Sequence, residues 1–475
     1  MTLSQLIANR GPIRTIGVVG MGYVGIPSAV LFANVPSVHH VYGFQRDSPS
    51  SGFKISMLNR GENPLIGEEP DLPDLLRSAV TAGKLTCTSD FSFIKYCDAV
   101  TIAIQTPFAD PKELIPDFSP LSDGLAIVGK NLEQGMLVVI ESTITPGTTQ
   151  GIAREILESG SGLRAGRDFA LAHAPERVMA GRLIRNIREH DRVVGGFDDV
   201  STKRAIELYS PVLTKGRIIP MTTTAAEVTK TAENTFRDLQ IAAVNELALY
   251  CEAIGINVYD VREGIASLKG EGITRAILFP GSGVGGHCLP KDTYHLVRGL
   301  KVLGGIQDFP TETESLYLVA RSINSFMPVH TANLTETGLL RAGKQIEGAR
   351  IALLGWAFIP NTGDSRNTPS KVFFDHVTSR GATVSVHDPY VKEEPGISIS
   401  GDVEPVLKGA DAVVIFTGHS LYKSLQPARC RKITGARHPV IVDGRNIIDP
   451  DAFIRDGWIY LGIGRGDLNN HPVID

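Results

Sequence analysis

Five cysteines in 475 residues, Cys87, Cys97, Cys251, Cys288 and Cys430, form no C-x-x-C pair and keep no regular spacing, so there is no zinc-ligand set and no disulfide framework to read. A chain of that kind belongs in a reducing compartment. No apolar run approaches the ~20 residues of a bilayer span, and the N-terminus lacks the basic segment and apolar core of an export signal. The formal net charge of −4 gives no electrostatic reason to expect nucleic acid or an anionic membrane. Low-complexity segments and fixed-period repeats are lacking too. These absences predict a cytoplasmic protein with no metal, no nucleic-acid partner and no membrane partner, in which small anionic ligands are held by local Arg and Lys. What is present is ordinary for a globular chain, 42% hydrophobic and 21% charged with 49 glycines. Its length predicts two or three domains, each with its own core.

Residues 15–19, Thr-Ile-Gly-Val-Val, read as a short buried strand that runs into Gly20-Met21-Gly22-Tyr23-Val24-Gly25 and then an apolar stretch at 26–33. Strand, GxGxxG and helix in that order make a dinucleotide-binding turn. Gly20 permits the tight turn, Gly22 lets backbone approach a pyrophosphate, Gly25 lets the helix pack on the strand, and the helix N-terminus offers amide donors. Further short apolar strands follow at 40–44, 84–88, 99–104, 136–142 and 169–173, an alternation that predicts a doubly wound parallel sheet. Near Thr222 the pattern changes to one long helix, 225–254, with Gly255 as its stop. Beyond Pro328 a second alternating set appears at 349–355, 382–387, 412–416, 440–442 and 458–461. The expected fold class is α/β: two Rossmann-like doubly wound parallel-sheet domains, 1–215 and 329–475, joined by a helical central domain, 216–328.

Two segments outside the turn bear chemistry. In Gly281-Ser282-Gly283-Val284-Gly285-Gly286-His287-Cys288-Leu289-Pro290-Lys291-Asp292 a thiol and a carboxylate stand close together in backbone with few side chains of its own. The glycines let a substrate approach, Pro290 stiffens the exit, and Lys291 offers a positive charge that favours thiolate. The other reading is a glycine-rich surface loop around a buried cysteine. On the long helix, Glu227, Lys230 and Asn234 stand at i, i+3 and i+7 and share one face. A solvated polar stripe would look the same, and Asn245-Glu246 is a second polar pair on the same helix.

These residues, with Glu141-Ser142-Thr143 before Pro146-Gly147-Thr148, Pro175-Glu176-Arg177, and Asp443-Gly444-Arg445-Asn446, resemble the UDP-glucose/UDP-mannose dehydrogenase family over nearly the whole chain. Pro-Glu-Arg-Val together with Gly-Gly-His-Cys resembles its branch acting on UDP-N-acetylhexosamines, above all UDP-N-acetylmannosamine, while Pro290-Lys291-Asp292 also fits the glucose branch. The resemblance implies oxidation of the sugar C6 alcohol to a carboxylate in two NAD-dependent steps, and a homodimer built through the long central helices. It gives Cys288 the role of nucleophile towards the aldehyde, Asp292 that of base, Lys230 and Asn234 that of stabilising charge on oxygen, and Glu176 with Thr143 that of activating water for thioester hydrolysis. It places Gly20, Gly22, Tyr23, Val24, Gly25, Gln45, Arg46, Thr106, Pro107 and Thr143 at the cofactor. Glu176, Arg177, Val178, Lys230, Asn234, Arg275, Gly285, His287, Arg366 and Arg445 are placed at the UDP-sugar. Thr143 as a cap of the turn before Pro146, Glu176 paired with Arg177, and Arg275 and Arg445 in surface ion pairs are the structural alternatives. His287, beside the cysteine, reads as a branch marker rather than half of a catalytic dyad.

Three positions depart from the family pattern. Gln45-Arg46 replaces the acidic residue expected at the adenosine ribose, which keeps NAD as the cofactor with NADP as the alternative; Asp47 stands two residues on. Ile359 replaces a lysine, and Arg366-Asn367-Thr368-Pro369 replaces Arg-Glu-Ser-Pro. Two other function classes remain open at this point. A 6-phosphogluconate or 3-hydroxyacid dehydrogenase would not need Cys288, and an inactive nucleotide-sugar-binding protein would reduce no dinucleotide.

Overall fold

The computed structural model describes residues 1–65, 69–110, 115–179, 181–268, 277–286, 288–303 and 315–469. The chain divides into two compact units, Met1–Glu233 with Lys291–Asp308, and Asn234–Pro290 with Phe309–Asp475.

In the first unit, β1 (Thr15–Val19), β2 (His40–Phe44), β3 (Leu85–Thr88), β4 (Ala99–Ile102), β5 (Leu137–Ile140), β6 (Ala170–His173), β7 (Arg192–Gly196) and β8 (Ile218–Thr222) form one sheet in the order β8-β7-β6-β5-β4-β1-β2-β3. The central strands are uninterrupted Val, Ile, Leu and Ala because both faces are covered. Val18, Val41, Val139 and Ala172 belong to one apolar cluster and Ile102, Val138, Ile140 and Leu171 to the other. Strand order reverses between β1 and β4, and both of those strands run parallel to their neighbours. That reversal opens the crevice where doubly wound sheets take ligands. The sheet departs from the all-parallel expectation at one place, where β6 and β7 pair antiparallel. β7 and β8 were not among the expected strands, and β8, beyond the boundary expected at 215, pairs in register with β7 as the edge. Its Pro220 is tolerated because an edge strand has a side with no ladder to join.

The second unit repeats the plan. Strands β9 (Arg350–Leu354), β10 (Thr383–His387), β11 (Ile399–Ser400), β12 (Ala412–Ile415), β13 (Val440–Asp443) and β14 (Ile459–Gly462) are all parallel, in the order β11-β10-β9-β12-β13-β14. Correspondence extends to backbone detail at the reversal. Gly20 after β1 has φ +98° and a Cβ there would meet Ala103 O at 2.5 Å; Gly355 after β9 has φ +101° and a Cβ would meet Thr417 Oγ1 at 2.5 Å.

Three helices carry the segments between the sheets: α1 (Thr223–Ile254), α2 (Leu289–Leu303) and α3 (Leu316–Arg341). Gly255, with φ +75°, follows α1, as a C-terminal stop requires. The boundary expected at 328 falls inside α3, where Pro328 is buried within the helix. Ala248 and Cys251 of α1 and Met327 and Leu334 of α3 join one apolar cluster of the second sheet. Among the described residues no helix is long and apolar enough to cross a membrane, and no group of three His, Cys, Asp or Glu is placed to hold a metal ion.

Candidate active site

The glycine turn after β1 has the shape a dinucleotide needs. A Cβ on Gly25 would lie 1.9 Å from Gly20 O, so the turn closes only with glycine, whereas a Cβ on Gly22 would meet nothing within 4 Å. The side facing the expected pyrophosphate is open, and the helix Gly25–Ala33 starts there with Val24 at its N-cap. Gln45 fastens this turn: its Oε1 accepts the Met21 N–H at 3.1 Å and its Nε2 donates to Ser51 Oγ at 2.9 Å. Arg46 is exposed and paired with Asp123 at 3.2 Å. Tyr23 is half-buried beside the turn.

On the other side of the reversal, Ser142 ties β5 to β4 by donating to Ile104 O at 2.6 Å and accepting the Ile104 N–H at 2.9 Å. Thr106, buried next to half-buried Pro107, donates to Thr143 O at 2.5 Å. It also accepts from Lys291 Nζ at 3.4 Å, and Lys291 is paired with buried Asp292 at 3.2 Å. The Lys291 charge expected to favour a thiolate is therefore shared with Asp292. The turn at Pro146 is closed by the Thr148 hydroxyl donating to Thr145 O at 2.6 Å, rather than by Thr143, which is half-exposed.

The polar face of α1 is the buried one. Glu227, Lys230 and Thr231 are buried and Asn234 half-buried, while Val228 and Phe236 are exposed. The solvated-stripe alternative does not hold. Glu227 accepts the N–H groups of Gly147 at 2.6 Å and Thr149 at 2.8 Å, which pins the Pro146–Thr149 turn. Burial raises its carboxyl pKa against the lowering pull of those bonds. Lys230 lies near enough to His173 to add to burial, which pushes that imidazole down to about 3.

Glu176 is not paired with the Arg177 guanidinium, which binds Glu233 at 2.7 Å. Its Oε1 accepts the Arg177 backbone N–H at 2.8 Å and its Oε2 pairs with Arg192. Arg192 also donates to Glu141 at 2.8 Å, and Glu141 accepts the Tyr209 hydroxyl at 2.8 Å. Val178, half-buried, packs against the first sheet's core. Arg192 and Tyr209 were missed by sequence reasoning. Arg192 lies 16 and 51 residues from its carboxylate partners, and the one local signal is an arginine opening the apolar strand Arg192–Gly196.

In the second unit the glycine segment lies against the carboxyl ends of the sheet. A Cβ on Gly281 would meet Arg445 Nη1 at 2.8 Å, and one on Gly285 would meet Phe358 Cβ at 2.6 Å. Asn245 accepts the Gly281 N–H at 3.0 Å and donates to Asn324 at 2.9 Å, so the inward member of the Asn245-Glu246 pair holds the segment. At the other end Gly286 N–H donates to Arg366 O at 2.8 Å, and Asn367, at φ +48°, donates to Gly286 O at 3.2 Å. Arg445 donates to Phe416 O at 2.7 Å at the end of β12, and burial lowers its pKa. That removes the surface ion-pair alternative for Arg445. The Arg366 guanidinium pairs with Asp364 at 2.5 Å. Arg275 and His287 lie outside the described residues.

The cysteines sort by environment. Cys87, Cys97, Cys251 and Cys430 are buried, and burial pushes the first two thiols up to about 12 and the last to about 11. Cys288 alone of the five is only half-buried, and it stands immediately before α2. A helix N-terminus favours thiolate.

Comparison with known sequences and structures identifies the family. The UDP-glucose/GDP-mannose dehydrogenase family's NAD binding domain matches residues 14–213, its central domain 224–314 and its UDP binding domain 352–450. The chain belongs to that family. The second sugar nucleotide in the family's description is GDP-mannose, which corrects the UDP-mannose of the sequence reading. A UDP-N-acetyl-D-mannosamine dehydrogenase of Pyrococcus horikoshii is 39% identical over 95% of this chain and 100% of its own. The crystal structure of NDP-N-acetyl-D-galactosaminuronic acid dehydrogenase from Methanosarcina mazei Go1 is 63% identical, with 99% of each chain covered and a TM-score of 0.87. The structure of the P. horikoshii UDP-N-acetyl-D-mannosamine dehydrogenase superposes over 95% of this chain with a TM-score of 0.83. The protein is an NAD-dependent nucleotide-sugar dehydrogenase, an oxidoreductase.

Proposed function

We propose that the chain oxidises C6 of a UDP-N-acetylhexosamine to the carboxylate in a four-electron reaction, with UDP-N-acetyl-D-mannosamine as first substrate and UDP-N-acetyl-D-mannosaminuronate as product. The observation that carries this reading is the one half-buried cysteine at the start of a helix among four buried ones. NAD, when bound, supplies the hydride acceptor for both oxidations. Asp292, or a water it holds, takes the hydroxyl proton as the alcohol becomes aldehyde. Lys230 and Asn234 present an ammonium and an amide to the oxygen as it gains charge. Cys288 sulfur then bonds to the aldehyde carbon; loss of the second hydride from this thiohemiacetal leaves a thioester. Glu176 takes a proton from water oriented by Thr143, the water oxygen bonds to the carbonyl carbon, and the C–S bond breaks to return the thiolate. Arg366 and Arg445, with Arg275 and His287, are assigned to the UDP-sugar, and functional boundaries near 215 and 328 divide cofactor, central and UDP-binding roles.

The relative that is 63% identical is named for the galacto sugar, and this gives a second reading in which the galacto sugar, which differs from the manno sugar at both C2 and C4, is preferred. The test is dinucleotide reduction with the UDP-linked N-acetylmannosamine, N-acetylgalactosamine, N-acetylglucosamine and glucose, each with NAD and NADP. A preference for UDP-N-acetylmannosamine with NAD is expected. Reduction with NADP alone would show that Gln45 and Arg46 reverse cofactor choice, and no reduction with any pair would favour the inactive binding protein. The reading includes a cytoplasmic homodimer. Val228, Phe236, Tyr250 and Ile254, each at least 38% exposed, fall on one face of α1 opposite its polar stripe, an apolar surface that a second copy would cover.

A further inference from the structure

Glu176 does not stand alone: it shares one arginine with a second, more deeply buried carboxylate. Arg192, from the start of β7, reaches Glu176 through Nη1 and Glu141 through Nη2, and its side chain is 5% exposed against 6% and 0% for the two carboxylates. The guanidinium lies over the Tyr209 ring at 3.7 Å, and the Tyr209 hydroxyl donates to the same Glu141 oxygen that Arg192 binds. The other oxygen, Oε2, has no hydrogen-bond partner among the described residues. Two carboxylates with one cation leave this buried group a net charge of −1 when both are ionised, and a low-dielectric site resists that.

We propose that Glu141 is a positioning residue for thioester hydrolysis, setting through the shared Arg192 how strongly Glu176 takes the proton from water. The inference rests on the reading of Glu176 as that base. When Glu141 is protonated, Arg192 serves Glu176 undivided, and the Glu176 carboxylate is a weak base. When Glu141 is ionised, the cation is shared and like-charge repulsion is added, so Glu176 holds a proton more tightly. Burial pushes Glu141 up to about 7, with Arg192 opposing and Glu176 adding to the rise. Glu141 thus changes charge near neutrality.

The charged and titratable groups facing Glu141 are Arg192 from β7, Tyr209 from the helix Asp199–Tyr209 and Glu176. His173, which pairs in register with Ile140, is kept neutral by burial and by the Lys230 and Arg192 charges, so it brings no charge to Glu141 at neutral pH. Arg177 and Glu233 neutralise each other. No other element supplies Glu141 with a counter-charge among the described residues.

The test follows hydrolysis separately from oxidation. Enzyme is mixed with UDP-N-acetylhexosamine and NAD, quenched, and the Cys288 adduct quantified by intact mass across pH 5.5 to 9 for the unaltered protein, Glu176→Gln, Glu141→Gln and Tyr209→Phe. Adduct is expected to accumulate in Glu176→Gln. In the unaltered protein the hydrolysis rate should rise about threefold to tenfold through neutral pH as Glu141 ionises. In Glu141→Gln that rise should vanish, leaving the low rate at every neutral pH. Tyr209→Phe, which keeps both carboxylates, should move the rise to higher pH, because Glu141 loses the donor that favours its ionised form. A Glu141→Gln profile lowered by one factor with the rise intact would mean a structural role only and overturn the inference while sparing Glu176. No adduct in Glu176→Gln would overturn the covalent reading itself.

Discussion

Single residues decide both chemistry and pH behaviour. Glu141, just after β5, and His173, at the end of β6, are both buried, and burial moves them in opposite senses, to about 7 and about 3. A carboxyl raised above its ordinary value contributes stability that is full below about 4.5 and lost as pH rises through about 7. An imidazole lowered below 6.5 contributes stability that is full above that value and lost as pH falls towards about 3. Each contributes a slope of about 1.4 kcal/mol per pH unit in its window, and between about 4.5 and 6.5 the slopes oppose. Urea midpoints should therefore change little with pH in that window through these two groups. Glu141→Gln should unmask a loss of stability on acidification, and His173→Phe a gain. Unchanged slopes in both variants would contradict the burial argument. The motifs singled out Cys288, Lys230 and Asp292 in the sequence, and the structure sets Cys288 half-buried before a helix and buries Lys230 and Asp292. They could not show Arg192 or Tyr209, because a pair made across strands leaves no spacing to read.

At the scale of elements, the long helix does two jobs on two faces, and its polar residues are turned inward. Glu227 is the clearest case, a buried carboxylate that satisfies two backbone N–H groups of the Pro146–Thr149 turn. Glu227→Ala would leave both donors unpaired, the Thr149 N–H buried and the Gly147 N–H half-buried, with an expected cost of about 2–3 kcal/mol, read as a lower urea midpoint. A midpoint within experimental error of the unaltered protein would show that water replaces the carboxylate. Sequence periodicity found the central strands because doubly covered strands such as Leu137–Ile140 are wholly buried and wholly apolar. It missed Arg192–Gly196 and Ile218–Thr222, the first opened by an arginine and closed by two glycines, the second half-exposed and holding Pro220. It also stopped at Pro328, which is usually a helix end but here lies within Leu316–Arg341.

For the whole molecule, the six-stranded sheet repeats the order of the first six strands of the eight-stranded one, with a left-handed glycine at each reversal. The exposed apolar face of α1 belongs to this scale, since no single copy covers Phe236, 55% exposed, or Tyr250, 62% exposed. Sedimentation should show a dimer, and Phe236→Glu should shift it to monomer; a monomeric unaltered protein would remove the assembly from the account. In the proposed mechanism one thiol carries an alcohol through two oxidations without releasing the aldehyde. This is tested most directly by titrating a limiting amount of the preferred UDP-N-acetylhexosamine to completion and counting NADH formed, for the unaltered protein and for Cys288→Ser. Two NADH per sugar are expected from the unaltered protein, and fewer than two with Cys288→Ser. One NADH per sugar from the unaltered protein, or two from the serine variant at an undiminished rate, would contradict it.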